Sequence, residues 1–310
     1  MIKNTMLNNI VSNTNNNMMI SDMGISVPEN LVHNNDLPEN LDTNHEWIQQ
    51  RTGIETRYIA KDETTYSMAY NSVKHMKFKN LKIIIVATST PDMAFPSCAS
   101  YVHEKLELEN DVMCFDVHDA CNGFVQAMDI ALKYLKDFEE YSEVLVIGAE
   151  TMTKLLDWND RGTAILFGDG AGSILLNNTH GEVLFRSSKS IASYDSLNTS
   201  TGTVKMNGRH VFKNAVHSFS EDIANVMADV GKVDWFIPHQ ANLRIIESVI
   251  KNTNFPTESV IYNGNKYGNT SAASIPLALF DFFHKIKSGD TILLSAFGAG
   301  LRGNSLCIRI

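Results

Sequence analysis

The chain alternates between short, nearly continuous apolar runs and segments in which apolar residues recur at helical spacing. The apolar runs predict β-strands at Ile83–Thr88, Val112–Val117, Val144–Gly148, Ala164–Leu176, Val233–Pro238, Thr291–Phe297 and Ser305–Ile310. Because these runs are apolar throughout, and not only at every second residue, we expect strands that are buried on both faces. That arrangement is typical of layered α/β proteins.

Helical patterns fill the intervals between the predicted strands. Over Gly123–Phe138 the apolar positions form one stripe of a helix, and Asn242–Lys251 and Ala272–Ile286 show similar patterns. The first 17 residues are rich in asparagine and are predicted to be a disordered extension, since they contain little that could form a core. The polar segment Asn177–Val204 is predicted to be a surface connection between two halves of the chain.

A buried strand that runs into a helix beginning with small or polar residues occurs once in each half. The two sequences are FDVHDACNGF at 115–124 and WFIPHQANLR at 235–244. This regularity hints at an internal duplication.

The composition is that of a globular protein, with 310 residues of which 44% are hydrophobic and 20% are charged. It excludes disordered, collagen-like and coiled-coil classes. The net charge of −9 disfavours a dedicated nucleic-acid binder. Since no apolar run reaches the ~18 residues of a membrane span and the first residues lack an export signal, we expect a cytoplasmic protein without membrane contact.

Cys121 is the most informative of the four cysteines, which are too few for a disulfide scaffold and show no spacing that predicts a metal site. It follows a predicted strand and precedes a predicted helix, where the helix N-terminus favours a thiolate and a lowered pKa. Its backbone N–H is a candidate oxyanion donor. The alternative is a small buried hydrophobic residue, which is the interpretation that we favour for Cys98, Cys114 and Cys307.

Two further residues, His239 and Asn269, are candidate active-site residues. His239 ends an apolar strand, at the edge where α/β proteins bind ligands, although a single histidine there is more often structural or on the surface than catalytic. Asn269 precedes a helix and is either a site residue or a simple N-cap. The turn FGAGL at 297–301 suits an oxyanion site, whereas LFGDGAGSILL at 166–176 lacks the residues of a phosphate-binding loop.

Eight segments, in order, resemble the β-ketoacyl-acyl-carrier-protein synthase III family of thiolase-fold condensing enzymes. They are EWIQQRTGIETRYIA (46–60), VATSTPDMAFPS (86–97), DVHDACNGF (116–124), NDRGTAILFGDGAG (159–172), KMNGRHVFK (205–213), IPHQANLRIIE (237–247), YGNTSAAS (267–274) and FGAG (297–300). The resemblance runs from about Met18 to Ile310. It implies an α/β, thiolase-like five-layer αβαβα fold built from two similar halves, residues 18–178 with the cysteine and 179–310 with the histidine and asparagine.

The activity that the resemblance implies depends on a triad of Cys121, His239 and Asn269. Cys121 takes an acyl group from acyl-CoA, and a decarboxylative Claisen condensation with malonyl-acyl carrier protein then gives a β-ketoacyl thioester. The backbone N–H groups of Cys121 and Ala299 would hold the oxyanion, while neutral His239 and Asn269 would stabilise the enolate. No metal and no cofactor is implied, because coenzyme A enters as part of the substrate.

The resemblance also implies binding residues. Those for coenzyme A are Thr43, Trp47, Arg51, Arg161, Arg209 and Arg244, with Trp47 and Arg51 on either side of the adenine. Those for docking of the carrier protein are Lys213, Arg244 and Lys251. Phe95 matches a residue that reaches the acyl pocket of the partner subunit in a homodimer.

Several positions depart from the family pattern. Asp119 and Asn122 flank the cysteine where small residues are usual, Arg209 replaces a common asparagine, and LRGNS at 301–305 replaces a segment with a Thr-Trp pair. The 177–204 segment is short. The primer acyl group and the pathway therefore stay open. One alternative is an acyltransferase of specialised metabolism or surface-polymer synthesis with another acceptor, and a second is a non-catalytic subunit that binds carrier protein.

Overall fold

The computed structural model describes residues 19–109 and 111–310, so the predicted extension over residues 1–17 lies outside the described part of the chain. Within it, strands β1 to β13 are Ile20–Ser26, Leu31–His33, Thr56–Tyr58, Leu81–Ala87, Met113–Val117, Glu143–Thr151, Asp169–Asn177, Glu182–Ser190, Leu197–Asn198, Lys205–Met206, Trp235–Pro238, Thr291–Gly298 and Arg302–Arg309. Helices α1 to α9 are His45–Thr52, Thr65–Val73, Cys98–Lys105, Gly123–Asp137, Arg161–Ala164, Gly208–Asp229, Leu243–Thr253, Gly264–Tyr267 and Ser274–Phe282.

The first sheet has five strands in the order β1-β7-β6-β4-β5. Its centre is parallel, with Ile84 of β4 opposite both Cys114 of β5 and Leu145 of β6, while β7 pairs antiparallel with β6 and β1. Residues Ile83–Ala87 are completely buried, which agrees with the continuous apolar run in the sequence.

The second sheet has four strands in the order β11-β12-β13-β8. Strand β8 corrects the prediction that 177–204 is only a surface connection, because Glu182–Ser190 pairs antiparallel with β13 along its length. In its sequence, EVLFRSSKS, only Val183, Leu184 and Phe185 are apolar, so the strand has no apolar run along its length. Strand β7 also begins at Asp169 and not at Ala164, since Asp160 caps the short helix α5 by accepting the N–H of Gly162 at 2.9 Å.

The helices form three layers around the two sheets. Helices α4 and α9 contact both sheets and lie between them, α2 and α3 cover the outer face of the first sheet, and α6 and α7 cover the outer face of the second. The middle layer is held by apolar side chains such as Phe124 and Met128 of α4, both fully buried. Each such side chain contributes roughly 1.5–3 kcal/mol by leaving water. The predicted five-layer αβαβα fold is confirmed.

The chain order of these layers brings several element ends together. Cys121 follows β5 and precedes α4, His239 follows β11, and β12, which ends at Gly298, contacts the turn that contains Cys121. Within residues 19–109 and 111–310, none of the helices is both long and apolar enough to cross a membrane.

Candidate active site

Cys121 lies in a 3-10 turn, Ala120–Asn122, at the start of α4. Ala120 has φ +46°, a left-handed conformation that places the cysteine at a sharp bend between strand and helix. The residue is 7% exposed. The turn after β12 lies directly against it, because a Cβ atom on Gly298 would stand 2.9 Å from Cys121 Cβ and 3.2 Å from Cys121 N.

The electrostatic environment of Cys121 opposes the thiolate. Burial raises the pKa of the thiol to about 12, and the carboxylates of Glu150 and Asp119 act in the same direction. The Ser271 hydroxyl and the cysteine's own N–H act the other way but do not compensate. The expectation of a lowered pKa was therefore wrong, because among the described residues no cation offsets the loss of solvation at the sulfur.

His239 is 4% exposed at the end of β11. Its backbone N–H donates to the Ser295 carbonyl at 2.7 Å, and its ring Nδ1 is 2.6 Å from the Ser274 hydroxyl of α9. Burial lowers the pKa of His239 from its ordinary 6.5 to about 4, so the ring is neutral at physiological pH. A neutral ring held by Nδ1 has its Nε2 atom available to a substrate.

Asn269 is 6% exposed between α8 and α9. Its side-chain Oδ1 accepts the N–H of Ser271 at 2.9 Å, and its own N–H donates to the Leu166 carbonyl at 2.8 Å. Asn269 thus holds the turn before the helix, but it is not the predicted N-cap, since the N-cap is Ala273 for α9 and Thr270 for the preceding 3-10 turn. Because the oxygen is used in this way, the amide Nδ2 is the group left to donate to a ligand, and no acceptor within the described residues engages it.

The three residues converge on one short segment, Ser271–Ser274. Ser274 holds the ring of His239, the backbone of Ser271 is bonded to Asn269, and the Ser271 side chain interacts with the Cys121 thiol. The predicted triad is therefore brought together around one turn.

The proposed oxyanion donors lie close to each other as well. Gly298 contacts the backbone of Cys121, and Ala299 follows it as the first residue of a tight turn. Gly300 has φ +72°, which favours glycine and lets the chain reverse immediately. Because Ala299 directly follows Gly298, the Ala299 N–H is one residue away from the point where the chain comes closest to Cys121.

Trp47 lies beneath two guanidinium groups, which changes the predicted adenine site. The Arg51 Cζ is 4.6 Å from the centroid of the Trp47 ring, and the Arg161 Cζ is 4.9 Å from it. Each guanidinium is already stacked on the indole, so an adenine between Trp47 and Arg51 would have to displace the Arg51 side chain. Arg161 is an equal candidate for the second face. Thr43 is half-buried nearby, and within the described part of the chain its hydroxyl has no hydrogen-bond partner.

The other predicted binding residues, Arg209, Lys213, Arg244 and Lys251, are all exposed, and we refer to them as the basic surface. The first two are on α6 and the last two on α7, two helices that pack against each other. Among the described residues, none forms an ion pair with these four side chains. Their charge is thus available to an anionic partner.

Phe95 is 84% exposed on the loop that follows β4. The base of this loop is fixed, since the hydroxyl of Tyr66 donates to the carbonyl of Pro96 at 2.8 Å and the Asp92 carboxylate accepts the N–H of Tyr66 at 3.0 Å. A large aromatic side chain is thus presented to solvent on a well-anchored loop.

Two of the departures from the family pattern, at 119–122 and at 301–305, are bonded to each other. Asp119 pairs with Arg302 at 3.1 Å and accepts from Asn304 at 3.2 Å, while Asn122 Nδ2 donates to the Arg302 carbonyl at 3.0 Å. The two unusual segments, 119–122 and 302–304, are therefore one polar network beside Cys121. Sequence reasoning noted each departure separately and could not show that they compensate each other.

Glu150 is a buried carboxyl group that sequence reasoning missed. It lies near the end of β6, is 0% exposed, and accepts hydrogen bonds from the Thr90 hydroxyl at 2.6 Å and the Ser89 N–H at 3.0 Å. Burial nevertheless raises its pKa to about 7. The sequence does show a glutamate at the end of the apolar run VLVIGAET. Burying a carboxyl group costs free energy, so a glutamate in such a run indicates a specific role.

Comparison with known proteins agrees with this geometry. Residues 115–192 match the family model described as 3-oxoacyl-[acyl-carrier-protein (ACP)] synthase III, and residues 224–310 match the model of its C-terminal part. A beta-ketoacyl-[acyl-carrier-protein] synthase III of Wolbachia pipientis wMel is 40% identical over 317 residues, covering 94% of this chain and 99% of that protein.

The chain belongs to the β-ketoacyl-[acyl-carrier-protein] synthase III family. It is a condensing acyltransferase with the thiolase-like fold of its relatives. The crystal structure of the Aquifex aeolicus VF5 synthase III superimposes with a TM-score of 0.86 at 39% identity, covering 93% of this chain and 98% of that one. The priming β-ketosynthase of the R1128 polyketide pathway gives 0.85 at 28% identity, covering 95% of this chain and 96% of that one.

Proposed function

We propose that this synthase III transfers the acyl group of an acyl-CoA to Cys121 and condenses it with malonyl-acyl carrier protein. The observation that carries the proposal is the convergence of Cys121, His239 and Asn269 on the turn Ser271–Ser274. A thiol, a neutral imidazole donor and an amide donor are the groups that such a reaction requires.

In the first step the sulfur of Cys121 attacks the thioester carbonyl, and the CoA thiolate leaves. The backbone N–H groups of Cys121 and Ala299 would stabilise the negative oxygen of the tetrahedral intermediate. One such donor contributes about 10²–10³-fold to the rate in other enzymes. The close approach of Gly298 to Cys121 supports this pairing of donors.

In the second step the malonyl group loses carbon dioxide, and the resulting enolate attacks the acyl-cysteine. His239 and Asn269 would donate hydrogen bonds to the enolate oxygen, from Nε2 and Nδ2. The low pKa of His239, about 4, supports this role because a neutral ring does not have to lose a proton first. Decarboxylation supplies the nucleophile, so no paired carboxylate is needed to remove a proton from carbon.

The substrates are large and anionic, and the chain offers cations to both. Trp47, with Arg51 and Arg161 on its ring, would hold the nucleotide of coenzyme A, together with Thr43. The basic surface of Arg209, Lys213, Arg244 and Lys251 would accept the nucleotide phosphates and the acidic carrier protein. A local field of this kind is compatible with the net charge of −9, because docking responds to the nearest charges.

We further propose a homodimer. Strand β5 is an edge of the first sheet, with Met113 46% exposed, and Phe95 is 84% exposed on an anchored loop. An unpaired sheet edge and a protruding aromatic ring both favour burial against a second copy. Phe95 would then reach the acyl pocket of the partner subunit.

A second candidate function is that of an acyltransferase of specialised metabolism, since one similar structure is named as a priming ketosynthase of a polyketide pathway. The network of Asp119, Arg302 and Asn304 beside Cys121 favours it, because these polar side chains replace the usual small and aromatic ones. In that candidate the acyl-cysteine is the same, and the primer or the acceptor differs.

Intact-mass spectrometry after incubation with a panel of acyl-CoA thioesters tests the proposal. The expected result is an added acyl mass on Cys121, absent from Cys121→Ala, followed by release of carbon dioxide once malonyl-acyl carrier protein is added. Acylation without carbon dioxide release would favour another acceptor. No acylation by any thioester would favour the non-catalytic, carrier-binding alternative.

A further inference from the structure

We propose that Glu150 receives the proton of the Cys121 thiol through the hydroxyl of Ser271. The inference deepens the function proposed above, since it concerns the step in which Cys121 becomes acylated. It names a proton acceptor that the triad lacks.

The Glu150 carboxyl group is built into the protein as a half-satisfied acceptor. Its Oε2 accepts from the hydroxyl of Thr90 at 2.6 Å, the N–H of Ser89 at 3.0 Å and the hydroxyl of Thr88 at 3.3 Å. Its Oε1 is buried and has no hydrogen-bond partner within the described residues. The Ser271 side chain and the Ala272 backbone lower the pKa of the same carboxyl group, although neither makes a hydrogen bond to Oε1. A buried carboxyl oxygen without a donor is costly, and such a cost is usually retained for function.

The backbone explains why Glu150 reaches this turn. A Cβ atom on Gly148 would lie 2.3 Å from the carbonyl oxygen of Ala272, so β6 and the 271–273 turn approach backbone to backbone. Side chains of a strand alternate between its two faces, so Glu150, two residues after Gly148, lies on the face that contacts the turn. Gly148 thus brings the carboxyl group close to Ser271.

Ser271 is held in a conformation that serves this position. Its φ is +50°, which is unfavourable for a residue with a side chain, and it is 2% exposed. Asn269 fixes its backbone through the 2.9 Å bond to the Ser271 N–H. The turn that carries it, Ser271–Ala273, contacts both β6 and the turn of Cys121, and the Ser271 hydroxyl lowers the pKa of the Cys121 thiol and of the Glu150 carboxyl group. Strain retained at a residue between these two groups fits a functional role.

His239 is poorly suited to take the proton itself. Burial keeps the ring neutral, with a pKa of about 4, which makes it a weak base. If the Ser274 hydroxyl donates to Nδ1 across their 2.6 Å contact, the ring proton is on Nε2. A ring in that tautomer donates hydrogen bonds to the substrate and has no lone pair for the thiol.

Protons and bonds balance over the catalytic cycle. As the sulfur of Cys121 bonds to the acyl carbon, its proton moves to Ser271 Oγ and the Ser271 proton moves to Glu150. The carbon–sulfur bond to coenzyme A breaks, and the CoA thiolate takes a proton from solvent. When condensation later expels Cys121 as a thiolate, protonated Glu150 returns its proton by the same path. The cycle consumes one solvent proton, and Glu150 ends as it began.

A purely electrostatic role for Glu150 predicts the opposite result, which makes the proposal testable. A carboxylate near a thiol disfavours the thiolate, so its neutralisation in Glu150→Gln would make Cys121 more reactive. A proton acceptor predicts a less reactive Cys121. The other ionisable groups that face this pair are Asp119, which is paired with Arg302, and Cys98, whose thiol is kept neutral by burial.

The experiment measures alkylation of Cys121 by iodoacetamide between about pH 5.5 and 9, with peptide mapping, and its single-turnover acylation by acetyl-CoA. For the unsubstituted protein we expect the alkylation rate to rise as Glu150 ionises near pH 7 and then to level off. In Glu150→Gln the rate at neutral pH should fall by about 10²-fold, and it should continue to rise about tenfold per pH unit because only hydroxide then removes the proton.

Two variants separate the relay from a loss of structure. Ser271→Gly tolerates the positive φ and lacks the hydroxyl, so it should show the same loss, without a further loss when combined with Glu150→Gln. Asp169→Asn is a matched control, because Asp169 is also 0% exposed and accepts backbone N–H groups, from Ala60 at 2.8 Å and Thr153 at 2.9 Å. It should keep the unsubstituted pH profile.

An alkylation rate in Glu150→Gln that equals or exceeds that of the unsubstituted protein would overturn the proposal, as would an unchanged pH profile. This failure differs from that of the proposed function. If acetyl-CoA and other thioesters leave Cys121 unmodified while alkylation still depends on Glu150, the condensation is refuted and the relay stands. If acylation proceeds equally in both proteins, the relay is refuted and the condensation stands.

Discussion

Gly298→Ala should slow the acylation of Cys121, because the added methyl group pushes two turns of the active site apart. The added Cβ would stand 2.9 Å from Cys121 Cβ, 3.2 Å from Cys121 N and 3.4 Å from Asn122 Nδ2. Carbon atoms in contact normally lie about 3.5–4.0 Å apart. The turn after β12 and the turn at Cys121 must therefore move apart by about half an ångström or more. The backbone itself does not oppose alanine, since Gly298 has φ −156°.

This movement changes the distance between the two candidate oxyanion donors, the N–H groups of Cys121 and Ala299. Misplacement of reacting groups by about 1 Å can cost 10²-fold in rate. Over roughly half that distance we expect acylation of Cys121 to slow by about tenfold or more, or at least about 1.4 kcal/mol in activation free energy. Overpacking should also reduce the free energy of unfolding by about 1–3 kcal/mol.

The assay is single-turnover acylation of Cys121 followed by intact-mass spectrometry, with thermal unfolding measured in parallel. Gly170→Ala in β7 is the matched control, because its Cβ would meet Leu277 and Val27 at 3.4 Å, an ordinary contact. It should acylate normally. Acylation of Gly298→Ala at the unsubstituted rate would refute the reasoning, since the two turns would then be free to separate without consequence.

Three further predictions concern pH, coenzyme A and the carrier protein. The pKa of His239 falls from 6.5 in the unfolded chain to about 4 in the folded one, so the unfolded state binds more protons at low pH. The free energy of unfolding should therefore decrease by about 3 kcal/mol as the pH falls from 7 to 4. Denaturant unfolding should show this loss in the unsubstituted protein and a smaller one in His239→Asn. Trp47→Ala should raise the KM for acyl-CoA by about tenfold and leave kcat unchanged, because the indole only stacks. Lys213→Glu combined with Arg244→Glu should raise the KM for malonyl-acyl carrier protein, with a weaker dependence on salt, in steady-state kinetics.

Each of these has a control and a contradicting result. An equal loss of stability in His239→Asn would assign the pH effect to other groups. A thioester of pantetheine alone lacks the nucleotide, so an effect of Trp47→Ala on its KM would contradict the stacking role. Lys77→Glu changes an exposed lysine beyond α2, on the other sheet, and an equal effect there would mean that only total charge matters.

Much of the architecture follows from local sequence patterns. The apolar runs located β4, β5, β11 and β12 to within two residues at each end, since burial on both faces leaves a continuous signal. The stripe over Gly123–Phe138 located α4 in the same way. Strand β8 was missed because only Val183, Leu184 and Phe185 of its nine residues are apolar. The triad was identified from the segments around Cys121, His239 and Asn269, and not from any single residue.

The tertiary structure alone decided how these residues behave. The pKa of the Cys121 thiol rises because Glu150 and burial act on it, and neither is visible in the residues next to it in sequence. Asp119 and Arg302 form one pair although 183 positions separate them in the sequence. Arg161 shares the indole of Trp47 with Arg51 for the same reason. A local pattern reports whether a side chain is buried, but its electrostatic environment depends on which distant segments fold against it.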